Sequence, residues 1–220
     1  CEAPIEAARA RILCRDCTRA LVAGRITGAV CATCGAPLTA AAGALCVSCR
    51  LQGRHFEAAR AFFPYRGPAE SIIKSYKFKG DYFLGPLFLG RALEQGWMPD
   101  GIGAPDAVLP VPLHPRRRRE RGYDQALLLA RVTARHFGCR LARAALVRTR
   151  YTHQQSLLPV TRRWDNVRGA FAVAKPKLVA GRRLLLVDDV LTTGMTAEEC
   201  AKALKKAGAQ RVEVLALARA

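Results

Sequence analysis

Leu184-Leu185-Leu186-Val187-Asp188-Asp189-Val190-Leu191-Thr192-Thr193-Gly194-Met195-Thr196 is the stretch on which the reading of this chain turns. Its first four residues form an unbroken aliphatic run, the pattern of a parallel strand buried on both faces. Two carboxylates then stand where that strand is expected to end. Thr192-Thr193-Gly194 makes a turn of small, hydroxyl-bearing residues. Thr196 is placed to cap a helix over 197–207 that stops at Gly208. Strand, acidic edge, threonine–glycine loop and helix start together form an anion cradle, because loop and helix-terminal N–H groups converge on one point.

The acids constrain the ligand further. A carboxylate pair repels phosphate, so Asp188 and Asp189 are expected to face a sugar diol or the surroundings of a metal ion. Thr192, Thr193, Gly194, Met195 and Thr196 are expected to take the phosphate. A phosphate one sugar-width from a diol is a ribose 5-phosphate. The plainer alternative is a strand that ends in two solvated acids and a capped turn. A single glycine excludes the G-x-G-x-x-G dinucleotide loop, and no G-K-[ST] is present to form a P-loop. The segment Val187 to Thr196 resembles the phosphoribosyl-diphosphate (PRPP) motif of type I phosphoribosyltransferases.

The totals bound the answer. A chain of 220 residues, half of them apolar, has room for one good-sized domain plus a small module. No apolar run approaches the length of a membrane span. The chain begins at Cys1, so its natural start is expected to lie upstream. The formal net charge is +19, and zinc-bound thiolates at the paired cysteines would lower it to about +16. Such a balance implies an anionic partner, either nucleic acid or a pyrophosphate-bearing substrate. General arginine bias is the alternative explanation.

Seven of the nine cysteines fall before residue 53: Cys1, Cys14, Cys17, Cys31, Cys34, Cys46 and Cys49. Three C-x-x-C pairs at similar intervals are a zinc signal. The same segment lacks any Phe, Trp or Tyr, so it has little with which to build a core, and structural zinc supplies the folding energy. Cys31 and Cys34 are expected to complete a site with Cys46 and Cys49. Cys14 and Cys17 would then pair with Cys1 and a ligand upstream of it. Bridging of Cys14/Cys17 to Cys31/Cys34 by one zinc is the alternative, and disulfides are another. An all-cysteine shell leaves no place for a reacting water, so the metal is structural. Cys139 and Cys200 read as buried fillers in helical contexts.

Beyond the cysteines, alternating apolar positions from Phe56 to Tyr65 predict a strand, broken by Gly67-Pro68. Helices are expected over 71–78, 82–95 and 126–137, and strands over 107–109 and 211–217. Pro110-Val111-Pro112-Leu113-His114-Pro115 holds the backbone stiffly at a strand's C-terminal edge, where ligands bind in open α/β sheets. Arg116, Arg117, Arg118, Arg119 and Arg121 follow. They could hold pyrophosphate, track a nucleic-acid backbone, or form a solvated face. The histidine before them, His114, reads as a capping or surface residue. Residues 149–168 are polar and arginine-rich, a segment suited to closing over a diphosphate, or an ordinary surface loop.

Pro110 to His114, Arg119-Glu120-Arg121-Gly122-Tyr123-Asp124-Gln125, Arg148 to Gln155 and Arg163 to Phe171 resemble the ComF family of phosphoribosyltransferase-like proteins. Asp124 stands where that family more often has asparagine. The resemblance implies a double zinc ribbon over residues 1–52, its first ribbon truncated, and a phosphoribosyltransferase-like domain over 53–220. The implied fold is a mostly parallel α/β sheet flanked by helices. The implied ligands are PRPP with Mg2+, held by Asp188, Asp189 and 192–196, with Val111, Pro112, Leu113, Arg116 and Arg121 facing the pyrophosphate. Reaction would displace pyrophosphate from ribose C1. A cytoplasmic location and a part in DNA uptake follow from the same resemblance, with DNA-uptake or recombination proteins as partners. A non-catalytic alternative is single-stranded DNA binding through Arg116 to Arg119, or PRPP sensing, on the same fold.

Overall fold

The computed structural model describes residues 13–39, 43–152 and 165–220. Cys1 and the segment from His153 to Trp164 lie outside the described residues. Five strands make one wholly parallel sheet: β1 (Ala58–Pro64), β2 (Ala107–Pro110), β3 (Arg140–Leu141), β6 (Arg183–Leu191) and β7 (Arg211–Arg219). Their spatial order is β1-β7-β6-β2-β3. A separate antiparallel ribbon pairs β4 (Leu146–Arg148) with β5 (Phe171–Val173).

The aliphatic run earns its central place because side chains alternate across a strand. Leu184 and Leu186 enter one core, shared with Ala197, Cys200 and Leu204 of α7 (Met195–Lys206). Leu185 and Val187 enter the opposite core, with α3 (Gly67–Phe78), α4 (Leu84–Glu94) and α6 (Gln125–His136). Neither face meets water, so both must be apolar.

Several expectations are corrected. The central strand does not end at the acids: it runs on to Leu191, with Asp188 opposite Ala216 and Val190 opposite Ala218. Small alanines on β7 give the acidic segment room to stay paired. Thr196 is not a cap. The N-cap is Gly194 at φ 77°, and the helix begins at Met195. The first strand does end before Gly67-Pro68, at Pro64, and that pair also opens α3, since proline's missing N–H costs nothing in a first turn. The first strand is buried on both sides, without polar alternation. The arginine run is itself helical: α5 (Pro115–Arg121) starts on a proline, and His114 Nδ1 accepts from the Arg116 N–H at 3.2 Å. Cys200 is fully buried on α7, whereas Cys139 lies beyond the end of α6 and is only half-buried.

Within the cysteine-rich segment, α1 (Arg15–Ala23) follows Cys14, and α2 (Val47–Gln52) follows Cys46. The thiol sulfurs of Cys31, Cys34, Cys46 and Cys49 all lie within 4.8 Å of one another. Cys34 and Cys46 are 3.6 Å apart, close to the edge of roughly 3.8 Å that a tetrahedron of 2.3 Å zinc–sulfur bonds requires. The four residues therefore fit a structural zinc. Cys14 and Cys17 stand apart from this group, joined locally by the Cys17 N–H donating to Cys14 Sγ at 3.4 Å.

The knuckle sits directly on β1. The Ala59 N–H donates to the Thr33 carbonyl at 2.6 Å. Arg60 Nη2 donates to the Ala32 carbonyl at 2.9 Å. Gly35 is at φ 69°, and a Cβ there would collide with the Ala59 carbonyl oxygen. Backbone strain and collision act together in Gly35→Ala, which should cost at least ~2 kcal/mol in urea unfolding. Cys34→Ser should lower zinc content by one equivalent per chain and lower the thermal midpoint with it. A variant with unchanged metal content would remove the zinc from these four cysteines.

Candidate functional site

All the main strands point their C-terminal ends to one side of the sheet, and a cavity of about 630 Å³ opens there. Tyr65 reaches it from the end of β1 and Ala220 from the end of β7. Asp188 to Leu191 form its floor from β6, Thr192, Thr193, Gly194 and Thr196 the side made by the threonine–glycine loop, and Val111 to Leu113 come from the turn after β2. The site lies where the sheet's connections diverge: the chain leaves β6 toward β7 and leaves β2 toward β3 on the other side. Parallel sheets place ligands at such a divergence.

The two acids differ because adjacent strand residues face opposite ways. Asp189 follows the side of Leu185 and Val187 and meets α3, where Lys77 Nζ is 2.9 Å from its Oδ1. It is 7% exposed, so this pair is largely out of water. Asp188 follows the other side, and its Oδ1 accepts the Asp189 N–H at 2.8 Å. Burial pushes the Asp188 carboxyl up to about 8, the Asp189 carboxylate adds to the rise, and Lys77 opposes it. One carboxylate thus lies against a lysine, while its neighbour is held toward the neutral form.

Around the acids stands a cationic wall. On α5, Arg117 and Arg121 lie four residues apart on one face and both line the cavity. Arg116 does not. It pairs with Glu120 at 3.0 Å and lies over the Tyr151 ring at 4.9 Å. Arg118 and Arg119 are exposed. Met195 is likewise outside the lining and packs on the core. Asp124, the departure from the family pattern, caps α6 by accepting the Leu127 N–H at 3.0 Å, a role aspartate and asparagine share.

Lys77, Tyr65 and Arg148 are among the lining residues that had no individual role in the sequence reading. Lys77 lies in an amphipathic helix and resembles any solvated lysine until α3 is docked. Tyr65 reaches the cavity only because β1 is an edge strand of the sheet. Arg148, at the end of β4, lies 5.3 Å over the Phe171 ring and hydrogen-bonds Thr152. Its Nε is buried without a hydrogen-bond partner, and among the described residues no carboxylate comes within ion-pairing distance of it. Desolvation pulls its pKa down. A half-buried, unpaired guanidinium on the wall of a cavity is a receptor for an anion.

The phosphoribosyl transferase domain family matches residues 124–220. The DNA utilization protein YhgH of Escherichia coli O6:H1 is 33% identical over 211 residues, covering 94% of this chain and 90% of that protein. Competence protein F of Haemophilus influenzae is 33% identical over 160 residues, covering 71% of this chain and 70% of that protein. Among solved structures, a glutamine phosphoribosylpyrophosphate amidotransferase from B. subtilis is 24% identical, covers 60% of this chain and 26% of that one, and superposes with a TM-score of 0.40. Similarity of that extent to competence protein F and to the YhgH proteins makes this chain a member of the ComF family, with a phosphoribosyl transferase domain in its carboxy-terminal part.

Proposed function

We propose that the cavity binds PRPP and that the chain acts as a phosphoribosyltransferase-like protein in DNA uptake, as the names of its relatives suggest. The observation that carries the reading is the meeting of both acids, the threonine–glycine loop and the turn after β2 in one cavity at the strands' C-terminal ends. The ribose hydroxyls lie against Asp188 and Asp189. The 5-phosphate takes the N–H groups and hydroxyls of 192–196, at the N-terminus of α7. The diphosphate extends toward Val111 to Leu113, Arg117, Arg121 and Arg148.

Chemically, a nucleophile's lone pair forms a bond to ribose C1 as the C1–O bond to pyrophosphate breaks. The bonding pair leaves with the pyrophosphate. The cations lining the cavity stabilise the charge that builds on this leaving group. A magnesium ion held near Asp188 and Asp189 would supply further neutralisation of that charge. Lys77 already occupies one side of Asp189, so the acids fit a role behind the sugar hydroxyls. Magnesium commonly keeps its waters and substrate phosphates as ligands, which suits that arrangement.

Replacing Asp188 and Asp189 together with Asn should weaken magnesium-dependent PRPP binding at least ~100-fold in calorimetry; unchanged affinity would sink the assignment. Asp188→Asn alone should have a second effect on the free protein. Its folded pKa, about 8, lies above the 3.8 of an ordinary aspartate. The neutral form is therefore favoured by folding, and this contribution is lost as pH rises between those values. The variant should melt above the wild type at pH 8, by a margin that shrinks toward pH 5. PRPP turnover across a panel of bases and amines then identifies the acceptor.

A further inference from the structure

The cavity keeps one end in reserve once the sugar phosphate and the diphosphate are placed. β1 and β7 lie on one side of β6 and β2 on the other. The turn after β2 therefore stands away from Tyr65, which follows β1, and from Ala220, which follows β7. The Tyr65 N–H donates to the Arg219 carbonyl at 2.6 Å, and the Ala220 N–H to the Leu191 carbonyl at 3.0 Å. Backbone pairing thus fixes this end of the cavity. Lys74, Lys77 and Phe78 of α3 complete it, spaced by three and four residues so that they share one helical face.

The two lysines are not equivalent. Lys77 is held by Asp189. Lys74 pairs at 2.7 Å with Glu70, one turn back, a residue outside the cavity lining. A solvent-exposed pair of this spacing is weak, so Lys74 can turn to an incoming anion at little cost. It also lies within electrostatic reach of Tyr65. Phe78 is 58% exposed, with Arg121 over its ring at 5.4 Å, which leaves part of the ring open to a ligand. Reading the edge of a neutral nucleobase takes paired donors and acceptors, such as amide side chains supply. Gln125 is the one amide among the described lining residues, and it is buried against Tyr123. Two rings and an available ammonium suit a flat molecule with negative charge at its edge instead.

We propose that Tyr65, Lys74 and Phe78 form the acceptor site, and that the acceptor is a planar nitrogen compound bearing a carboxylate. This rests on the reading of the same cavity as a PRPP site. The carboxylate meets Lys74, and the ring lies against Tyr65 and Phe78. The acceptor's nitrogen lone pair forms the bond to ribose C1, and the C1–O bond breaks with its electron pair leaving on pyrophosphate. Where the attacking nitrogen carries a proton, that proton passes to the departing pyrophosphate.

Pyrophosphate release from PRPP and magnesium, measured with matched acceptors, tests the proposal. The pairs are orotate and uracil, nicotinate and nicotinamide, and anthranilate and aniline. At least one carboxylated member should support release, and its neutral counterpart should be slower by at least ~10-fold in kcat/KM. Lys74→Met should raise KM for that acceptor at least ~10-fold, whereas Lys74→Arg retains most of the affinity and calorimetric PRPP binding holds in both. A neutral member that matches its carboxylated counterpart overturns the proposal, as does an unchanged KM in Lys74→Met. Wild-type protein that binds PRPP but releases no pyrophosphate with any of the six overturns the acceptor site and leaves the PRPP site standing. Absence of PRPP binding in the same calorimetry overturns both.

Discussion

Two neighbouring residues on a β-strand cannot face the same way, and this site is built on that constraint. Asp188 and Asp189 are adjacent in β6, so one looks toward each of the two helical layers. Each layer treats its acid differently. The α3 side supplies Lys77 as the partner of Asp189, while burial on the other side raises Asp188. Two carboxylates on the same face would repel each other directly. Divided across the sheet, they flank the cavity floor as two groups of unlike character. They offer a ligand two carboxyl groups in unlike surroundings.

The same floor is braced from behind by the cysteine-rich segment. Arg219 Nη1 donates to the Cys34 carbonyl at 2.6 Å, and Arg219 is paired with Leu191, the last residue of β6. Phe56, 2% exposed, packs beside Gly194. The N–H of His55 donates to Glu198 in the first turn of α7. One of these contacts ties the knuckle to the strand end, and the other two tie the segment between the knuckle and β1 to the loop glycine and the helix start. Cys31, Cys34 and Cys49 also share a core with Ala197 and Leu191. A structural metal at the knuckle consequently stiffens the wall of a cavity that it does not touch.

How far the sequence disclosed this depended on whether a signal was local. The buried strand was legible because both faces need aliphatic residues, and the threonine–glycine turn because only small groups suit it. The extension of β6 through its acids was not, since an Asp-Asp pair reads as a strand end. What permits it is a row of alanines on β7, a partner known only from pairing. The helix over the arginine run carried no apolar period at all. It forms from its start, with Pro115 at the first position and His114 as cap, and its arginines then divide by helical angle. That angle sent Arg117 to the cavity where Arg116 had been expected. Lys77 and Arg148 were silent for the same reason: a cation in a polar stretch has no meaning until a distant strand gives it a neighbour.

The cavity's charge follows from these separate origins. Lys74 and Lys77 come from α3, Arg117 and Arg121 from α5, and Arg148 from the small ribbon, so five cations on three elements converge on a space that also holds Asp124, Asp188 and Asp189, with Lys74 paired to Glu70. One acid is matched by Lys77, one is pushed toward neutrality, and Asp124, also raised by burial, is spent on a helix cap. Arg117, Arg121 and Arg148 are therefore left with little internal compensation. Desolvating such cations lowers the stability of the free protein, and Arg148 bears this most plainly with a buried donor unpartnered. A ligand carrying several negative charges removes that penalty when it binds, whereas a neutral sugar would not. The imbalance favours a polyanionic ligand over a neutral one.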